Sequence, residues 1–363
     1  AIEINPNLAE AYLNLGNIFR DLGDLEKAEK FQRIALEIRP KFLDALINLG
    51  IVLMDNGKYL ESLDNFIKAI NYFPEDTRSY SSITKLLKEK SSIPFVKDRL
   101  KNILSILLER EDITHSDLFF AFDSLYDNQR LKDLLDLGLN LNEQKIFKDF
   151  IVDPILLNAM KKIVFFNPRW EKLFTSIRRR YCIAISNKKI QLSKDEIRFL
   201  ISLAEQSFLN EYIYNIDSQD IISVDKIKKL LSSGDFNIDL ISIISCYYPL
   251  YQLSREIPEI LALNSSNEDF KKLIKLQLKE PLEENKLLNQ IKKIGNIRDD
   301  VSQKVKLQYE DNPYPRWRYS DPKNSLKISY LQAINSEIKP NLVSIEKEVI
   351  NPKILIAGCG TGY

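Results

Sequence analysis

Five residues near the end of the chain, Gly358-Cys359-Gly360-Thr361-Gly362, follow the apolar, β-prone run Lys353-Ile354-Leu355-Ile356-Ala357. A strand that runs into alternating glycines makes a turn whose backbone can approach a ligand closely and adopt positive φ. Spacing narrows the ligand. A dinucleotide fingerprint needs glycine where Tyr363 stands, and a Walker-type loop needs a lysine directly after its last glycine. Other reactive residues are sparse. Cys182, Cys246 and Cys359 are far apart and form no CxxC pair, which supports neither a disulfide framework nor a zinc site. His115, the only histidine, reads as a helix-start residue and cannot build a histidine-based metal centre alone. Arg178-Arg179-Arg180 could hold a phosphate, but adjacent helix residues point in different directions, so the triplet reads as solvated surface. Phe119, Phe120, Phe122 and Tyr126 lie at helical spacing and read as core.

Upstream of the glycine turn lies Gln308-Tyr309-Glu310-Asp311-Asn312-Pro313-Tyr314-Pro315-Arg316-Trp317. Each proline fixes its own φ and pushes its predecessor out of the helical region, so an extended strap is expected. Tyr309, Asn312, Tyr314, Arg316 and Trp317 would then either cover a cofactor or substrate as a lid, or pin a connector to the next domain. The connector is the preferred reading.

The elements that must position these groups begin with a repeat. Pro6, Pro40 and Pro74 recur every 34 residues; Leu15-Gly16 returns as Leu49-Gly50, Gly23 as Gly57, Ala35 as Ala69, and Ala28 as the small Ser62. This pattern resembles the tetratricopeptide repeat, with full copies at 9–42 and 43–76 and partial ones within 1–90. Gly16 and Ala28 are expected to let two antiparallel helices approach, with Leu15, Phe19, Phe31 and Ala35 buried against the next repeat. Pro40 and Pro74 should end each second helix. Such helices present an inner groove, where Asn14, Asn17, Asn48 and Asp55, with Arg20, Asp21 and Asp44, are candidates to read an extended peptide. Asparagine offers a donor and an acceptor in one side chain. The alternative is an ordinary solvated face.

Between 91 and 305 the chain reads as helical without further repeats. Leu100, Ile103, Leu104 and Leu107 form one stripe. Ile197, Leu200, Ile201, Ala204 and Phe208 form another, opened by the capping-box pair Ser193 and Glu196. Pro94, Pro154, Pro168, Pro249, Pro258 and Pro281 punctuate the region. The most apolar stretch, Ile238–Tyr251, falls short of the ~20 residues of a membrane span and reads as a buried helix. Lys+Arg 52 against Asp+Glu 51 leaves a net charge of +1, which removes a global electrostatic reason to bind nucleic acid or an anionic membrane. A hydrophobic share of 44% with only 10 Gly and 14 Pro favours long helices over a turn-rich β-protein. No signal peptide is evident, and a cytoplasmic protein is expected.

Taken after these residues, GCGTG behind its strand resembles motif I of the class I S-adenosylmethionine-dependent methyltransferases. Together with NPYPRW, and with DPILLNAM, LFTSIRRRYC, QSFLNEYIY and LKEPLEE, the chain resembles a bacterial family in which tetratricopeptide repeats precede a helical region and a class I methyltransferase domain. The resemblance implies that Gly358, Cys359, Gly360, Thr361 and Gly362 form part of an S-adenosyl-L-methionine site, and that the remaining strands and the catalytic residues lie beyond Tyr363. The expected fold is mainly all-α: a tetratricopeptide-repeat superhelix, an α-helical middle region at 91–305, the strap at 306–340, and at 341–363 the first strand of a truncated α/β, Rossmann-like methyltransferase domain. The expected function is recruitment of a protein or peptide to a methyltransferase; the alternative is a non-catalytic adaptor. The chain opens at Ala1 and stops inside the glycine turn, so a longer protein with further upstream repeats is expected. The methyl acceptor and the oligomeric state are not legible.

Overall fold

The computed structural model describes residues 5–89, 96–136, 144–288, 290, 299–311, 329–337, 341 and 343–344, and every regular element among them is helical. The repeat forms first. Helices α1 (Ala9–Asp21), α2 (Leu25–Ile38), α3 (Leu43–Asp55) and α4 (Tyr59–Tyr72) make two hairpins, and α5 (Thr77–Glu89) starts a third at the same 34-residue offset. Two glycine positions of each repeat explain the hairpins. Gly23 and Gly57 adopt φ of +81° and +77°, the left-handed conformation that closes the helix C-terminus. There Asp24 N–H donates to Phe19 O at 2.9 Å and Gly23 N–H to Arg20 O at 2.9 Å, the paired bonds of a Schellman cap. Gly16 and Gly50 allow the helices of a hairpin to meet. A Cβ on Gly16 would lie 2.6 Å from Gln32 Nε2, and one on Gly50 would overlap the Phe66 ring. Pro40 and Pro74 lie just past α2 and α4, as their missing N–H requires.

One part of the repeat reading is corrected. Ala35 is buried with Leu13 against Ala45 of the next hairpin, but Leu15, Phe19 and Phe31 remain half-buried. Phe31 instead stacks between Tyr12 (6.2 Å) and Phe19 (5.3 Å). Their counterparts one repeat on, Leu49, Leu53 and Asn65, are buried because the first hairpin packs over the second. Among the described residues no helix covers the corresponding face of α1.

The middle region continues the core. It comprises α6 (Lys97–Glu109), α7 (Phe119–Asp123), α8 (Asn128–Asp136), α9 (Lys145–Ile151), α10 (Pro154–Lys162), α11 (Pro168–Ser186), α12 (Lys194–Leu209), α13 (Ser218–Ser232), α14 (Ile238–Ile244), α15 (Leu250–Leu253), α16 (Glu268–Ile274) and α17 (Glu280–Leu288). Farther on lie α18 (Asp300–Asp311) and α19 (Tyr330–Glu337). The prolines set starts: Pro154 and Pro168 occupy first turns behind the caps Asp153 and Asn167. Ser193 and Glu196 form the expected capping box of α12. His115 opens a 3₁₀ turn, His115–Leu118, with its ring against Arg110 O. Trp170 is fully buried, ringed by Phe122, Tyr126, Phe165 and Phe174 at 5.0–5.6 Å centroid spacings along the chain of contacts. One hydrophobic cluster runs from Leu46 to Leu278, so the second hairpin and the middle region share an interior, while Leu13, Ala35 and Ala45 form a separate cluster between the hairpins.

Two further expectations change. Ile238–Tyr251 is buried but is not one helix: α14 ends at Ile244 and α15 begins behind Pro249, which disfavours helical backbone in the residue before it. Phe119, Phe122 and Tyr126 are core, whereas Phe120 is 52% exposed, against the equally exposed Phe166. Before Pro281 the helix widens into a π turn, Lys275–Lys279, in which Glu280 N–H donates to Lys275 O. The wider turn relieves the clash that a proline ring makes with the carbonyl four residues back.

Candidate interaction site on the repeat helices

The first helices of successive repeats, α1, α3 and α5, lie side by side and carry the polar row. Asn48 Nδ2 donates to Asn17 Oδ1 at 2.9 Å, and buried Gln32 donates to the same oxygen at 2.9 Å and to Leu13 O at 3.2 Å. Asn17 is thus held from two sides, by its own hairpin and by the next. Its acceptor is consumed, which leaves the Asn17 amide N–H and the Asn48 carbonyl oxygen as a donor–acceptor edge. Asn14 and Asp55 are exposed, and among the described residues no hydrogen bond joins either to this pair.

Charge along the row is mixed and paired. Arg78 bridges to Asp44 at 2.8 Å across α5 and α3, and to Asp76 at 3.0 Å; Arg39 meets Glu10 at 2.6 Å. Arg20 reaches Asp21 at 3.5 Å. Behind the row, Glu29 clasps Arg33 (2.8 Å) and Lys58 (2.9 Å), tying α2 to the turn before α4. Burial works to raise the Glu29 pKa, but the bonds from Arg33 and Lys58 hold the carboxyl below its ordinary range. The row therefore carries no net field of one sign. Its fixed features are hydrogen-bonding groups.

The arginine triplet is the main correction to the sequence reading. Arg178 is fully buried, its guanidinium donating to Cys246 O at 3.0 Å, Asn215 O at 3.0 Å and Tyr214 O at 3.3 Å, 4.0 Å from the centre of the Tyr247 ring. Arg179 binds buried Asp220 through Nε and Nη2 at 3.0 and 2.9 Å, and Tyr247 Oη donates to the other Asp220 oxygen at 2.6 Å. Arg180 donates to Leu135 O at 2.7 Å, and burial lowers its pKa. The three side chains do point in different directions, yet each finds a protein partner, and Arg178 is shut off from solvent altogether. The missed signal was in the helix period: Phe174 and Cys182, four residues on either side of Arg178, are core, which puts Arg178 on the buried stripe. Burial pushes the Cys182 thiol up to about 12 and that of Cys246 higher still, so neither is a thiolate nucleophile at neutral pH.

Gly358, Cys359, Gly360, Thr361 and Gly362 lie outside the described residues, as do Asn312, Tyr314, Arg316 and Trp317; Tyr309 falls in the backbone of α18. Among the described residues no group of acidic, histidine or cysteine side chains could hold a metal ion, and no helix is long and apolar enough to cross a membrane.

Against known protein families, residues 9–42 match the model of the tetratricopeptide repeat. The chain carries a tetratricopeptide repeat. The matched span is the α1–α2 hairpin together with the entry to α3, and the second hairpin repeats its geometry in register. Such repeats are protein-interaction modules. No curated protein matches the chain.

Proposed function

We propose that the tetratricopeptide hairpins recruit a protein partner by binding an extended segment of it along α1, α3 and α5. The observation that carries this reading is the Asn17–Asn48 pair. It is fixed from behind by Gln32 and presents one donor and one acceptor at the junction of two repeats. A peptide group offers the complementary acceptor and donor, and a pre-ordered edge binds it with little entropy lost on the protein side. The test is selection of peptides from a displayed random library on the intact chain, followed by affinity measurement on Asn17→Ala and Asn48→Ala. Each substitution should weaken the selected peptides roughly 5- to 10-fold, the worth of one or two hydrogen bonds. Selected peptides that bind both variants as tightly as the parent chain refute the reading.

A second reading concerns the rest of the protein. The run Lys353–Ala357 followed by GCGTG favours a class I methyltransferase domain whose first glycine turn holds S-adenosyl-L-methionine, with the repeats delivering the protein that receives the methyl group. The cofactor would supply the reactive methyl, and the protein the orientation. Calorimetric titration of the full-length protein with S-adenosylmethionine, beside its Gly360→Val variant, tests this. Saturable binding that the branched side chain abolishes supports it. Absent binding, or equal affinity in both proteins, leaves a non-catalytic scaffold.

A further inference from the structure

A concavity lies outside the repeats, in the furrow between α8 and α11. Its volume is about 870 Å³, within the ~300–1,000 Å³ of ligand-binding clefts. One face of α11 forms its floor: Pro168, Glu171, Lys172, Thr175 and Arg179 recur at intervals of three and four residues, which puts them on one side of the helix. Lys132, Leu135 and Asp136, spaced alike on α8, form a wall, and Asn215 completes the lining. From Pro168 to Arg179 the floor extends roughly 16 Å at ~1.5 Å per residue, the span of about five extended residues at ~3.3 Å each.

The two helices are tied at both ends of the furrow. Near the start of each, Arg169 Nη1 donates to Asn128 Oδ1 at 2.7 Å; near the far end, Arg180 Nη2 donates to Leu135 O at 2.7 Å. The furrow is therefore formed before anything binds, which lowers the ordering cost of binding.

Its chemistry is that of unpaired charges of both signs. Arg179 is already committed, with Nε and Nη2 on Asp220 and Nη2 3.1 Å from Asp217, so Nη1 is the part of its fork left to donate. Lys132, Asp136, Glu171 and Lys172, by contrast, line the furrow without an ion pair or side-chain hydrogen bond among the described residues. The hydroxyls of Thr175 and Ser176 and the amide of Asn215 add uncharged donors and acceptors. No aromatic side chain is in the lining, so a nucleobase or sugar ring has no face to stack on. A ligand of one sign would be repelled by half of the charged groups. What matches the length, the mixed charge and the amide-binding groups together is a stretch of polypeptide.

We propose that the furrow binds an extended segment of a partner protein, about five residues long, that carries both acidic and basic side chains. Basic side chains of the segment meet Glu171 and Asp136, acidic ones meet Lys172 and Lys132, and Asn215 with the two hydroxyls takes up its peptide groups. The site does not depend on the asparagine row.

The test is selection of displayed random peptides on the intact chain, with counter-selection against Thr175→Trp, whose ring fills the furrow. The surviving peptides should each carry at least one acidic and one basic residue. By fluorescence anisotropy they should bind Thr175→Ser like the parent, and Glu171→Gln or Lys172→Gln roughly 2- to 5-fold more weakly, the worth of one exposed ion pair. Asn17→Ala should leave their affinity unchanged, which separates this site from the repeat row. Should Thr175→Trp melt well below the parent, the double variant Glu171→Gln with Lys172→Gln replaces it in the counter-selection. No surviving peptide, survivors that are uncharged or of one sign, survivors that bind both charge variants as tightly as the parent, or survivors weakened by Asn17→Ala overturn the proposal.

Discussion

Replacing Arg178 by methionine keeps most of the side chain's length and removes its fork of donors. The buried carbonyls of Tyr214 and Cys246 and the partly buried one of Asn215 then lose their partner together. A buried polar group stripped of its hydrogen bond costs about 1–3 kcal/mol. The two buried ones, with a smaller share from the Asn215 carbonyl that can turn to solvent, give an expected loss of about 2–6 kcal/mol. That is a large share of the ~5–15 kcal/mol that holds a typical domain. Arg178→Lys keeps the charge but presents a point donor in place of a planar fork, so two carbonyls stay unmet and about 2–4 kcal/mol is lost. Urea unfolding at neutral pH measures both, provided that the slope with denaturant stays constant. The expected order of midpoints is parent, then lysine, then methionine. Amide exchange should accelerate most around residues 212–216 and 246–248 in both variants. A methionine variant as stable as the parent would mean that the guanidinium is not what ties α11 to these segments.

Gly50→Ala places a methyl group into the Phe66 ring, so it should cost about 1–3 kcal/mol and lower the melting temperature; an unchanged melt would mean that the hairpins are looser than described. Cys182 and Cys246 should resist a thiol reagent at pH 8 in the folded chain and react on unfolding in urea, since both are buried and their thiols are held protonated. For Asp220, burial works to raise the pKa, and the bonds from Arg179 and Tyr247 more than offset it, so the folded value is depressed. Its contribution to stability is therefore complete above the ordinary carboxylate range of about 4 and fades as pH falls through the folded value. The melting temperature should drop on acidification below about pH 4, and Asp220→Asn should shrink that drop while lowering stability at neutral pH.

Where one repeated position or one helix face carried the information, the sequence sufficed. The 34-residue spacing placed both hairpins, the Leu100–Leu107 stripe is buried, and Ser193 with Glu196 caps α12. Readings failed where the outcome depended on which neighbour arrives from elsewhere. Leu15, Phe19 and Phe31 have the character of interior residues, but only a packed helix would bury them. Arg178 looks like surface by type and is core by position. The polar row shows the same limit. Asn14 and Asn48 are equivalent by repeat offset, yet Asn48 bonds Asn17, because neighbouring first helices are staggered and not in step. Periodicity specifies equivalent positions; contacts follow from the offset between helices.

The unbroken interior from Leu46 to Leu278 has a mechanical corollary. Excising the second hairpin would cut through shared side-chain packing where α3 and α4 meet α5, so that hairpin and the middle region should melt in one transition. Occupancy of the asparagine row, whose Asn48 lies on α3, should then raise the melting point of the whole shared body and not of the hairpin alone.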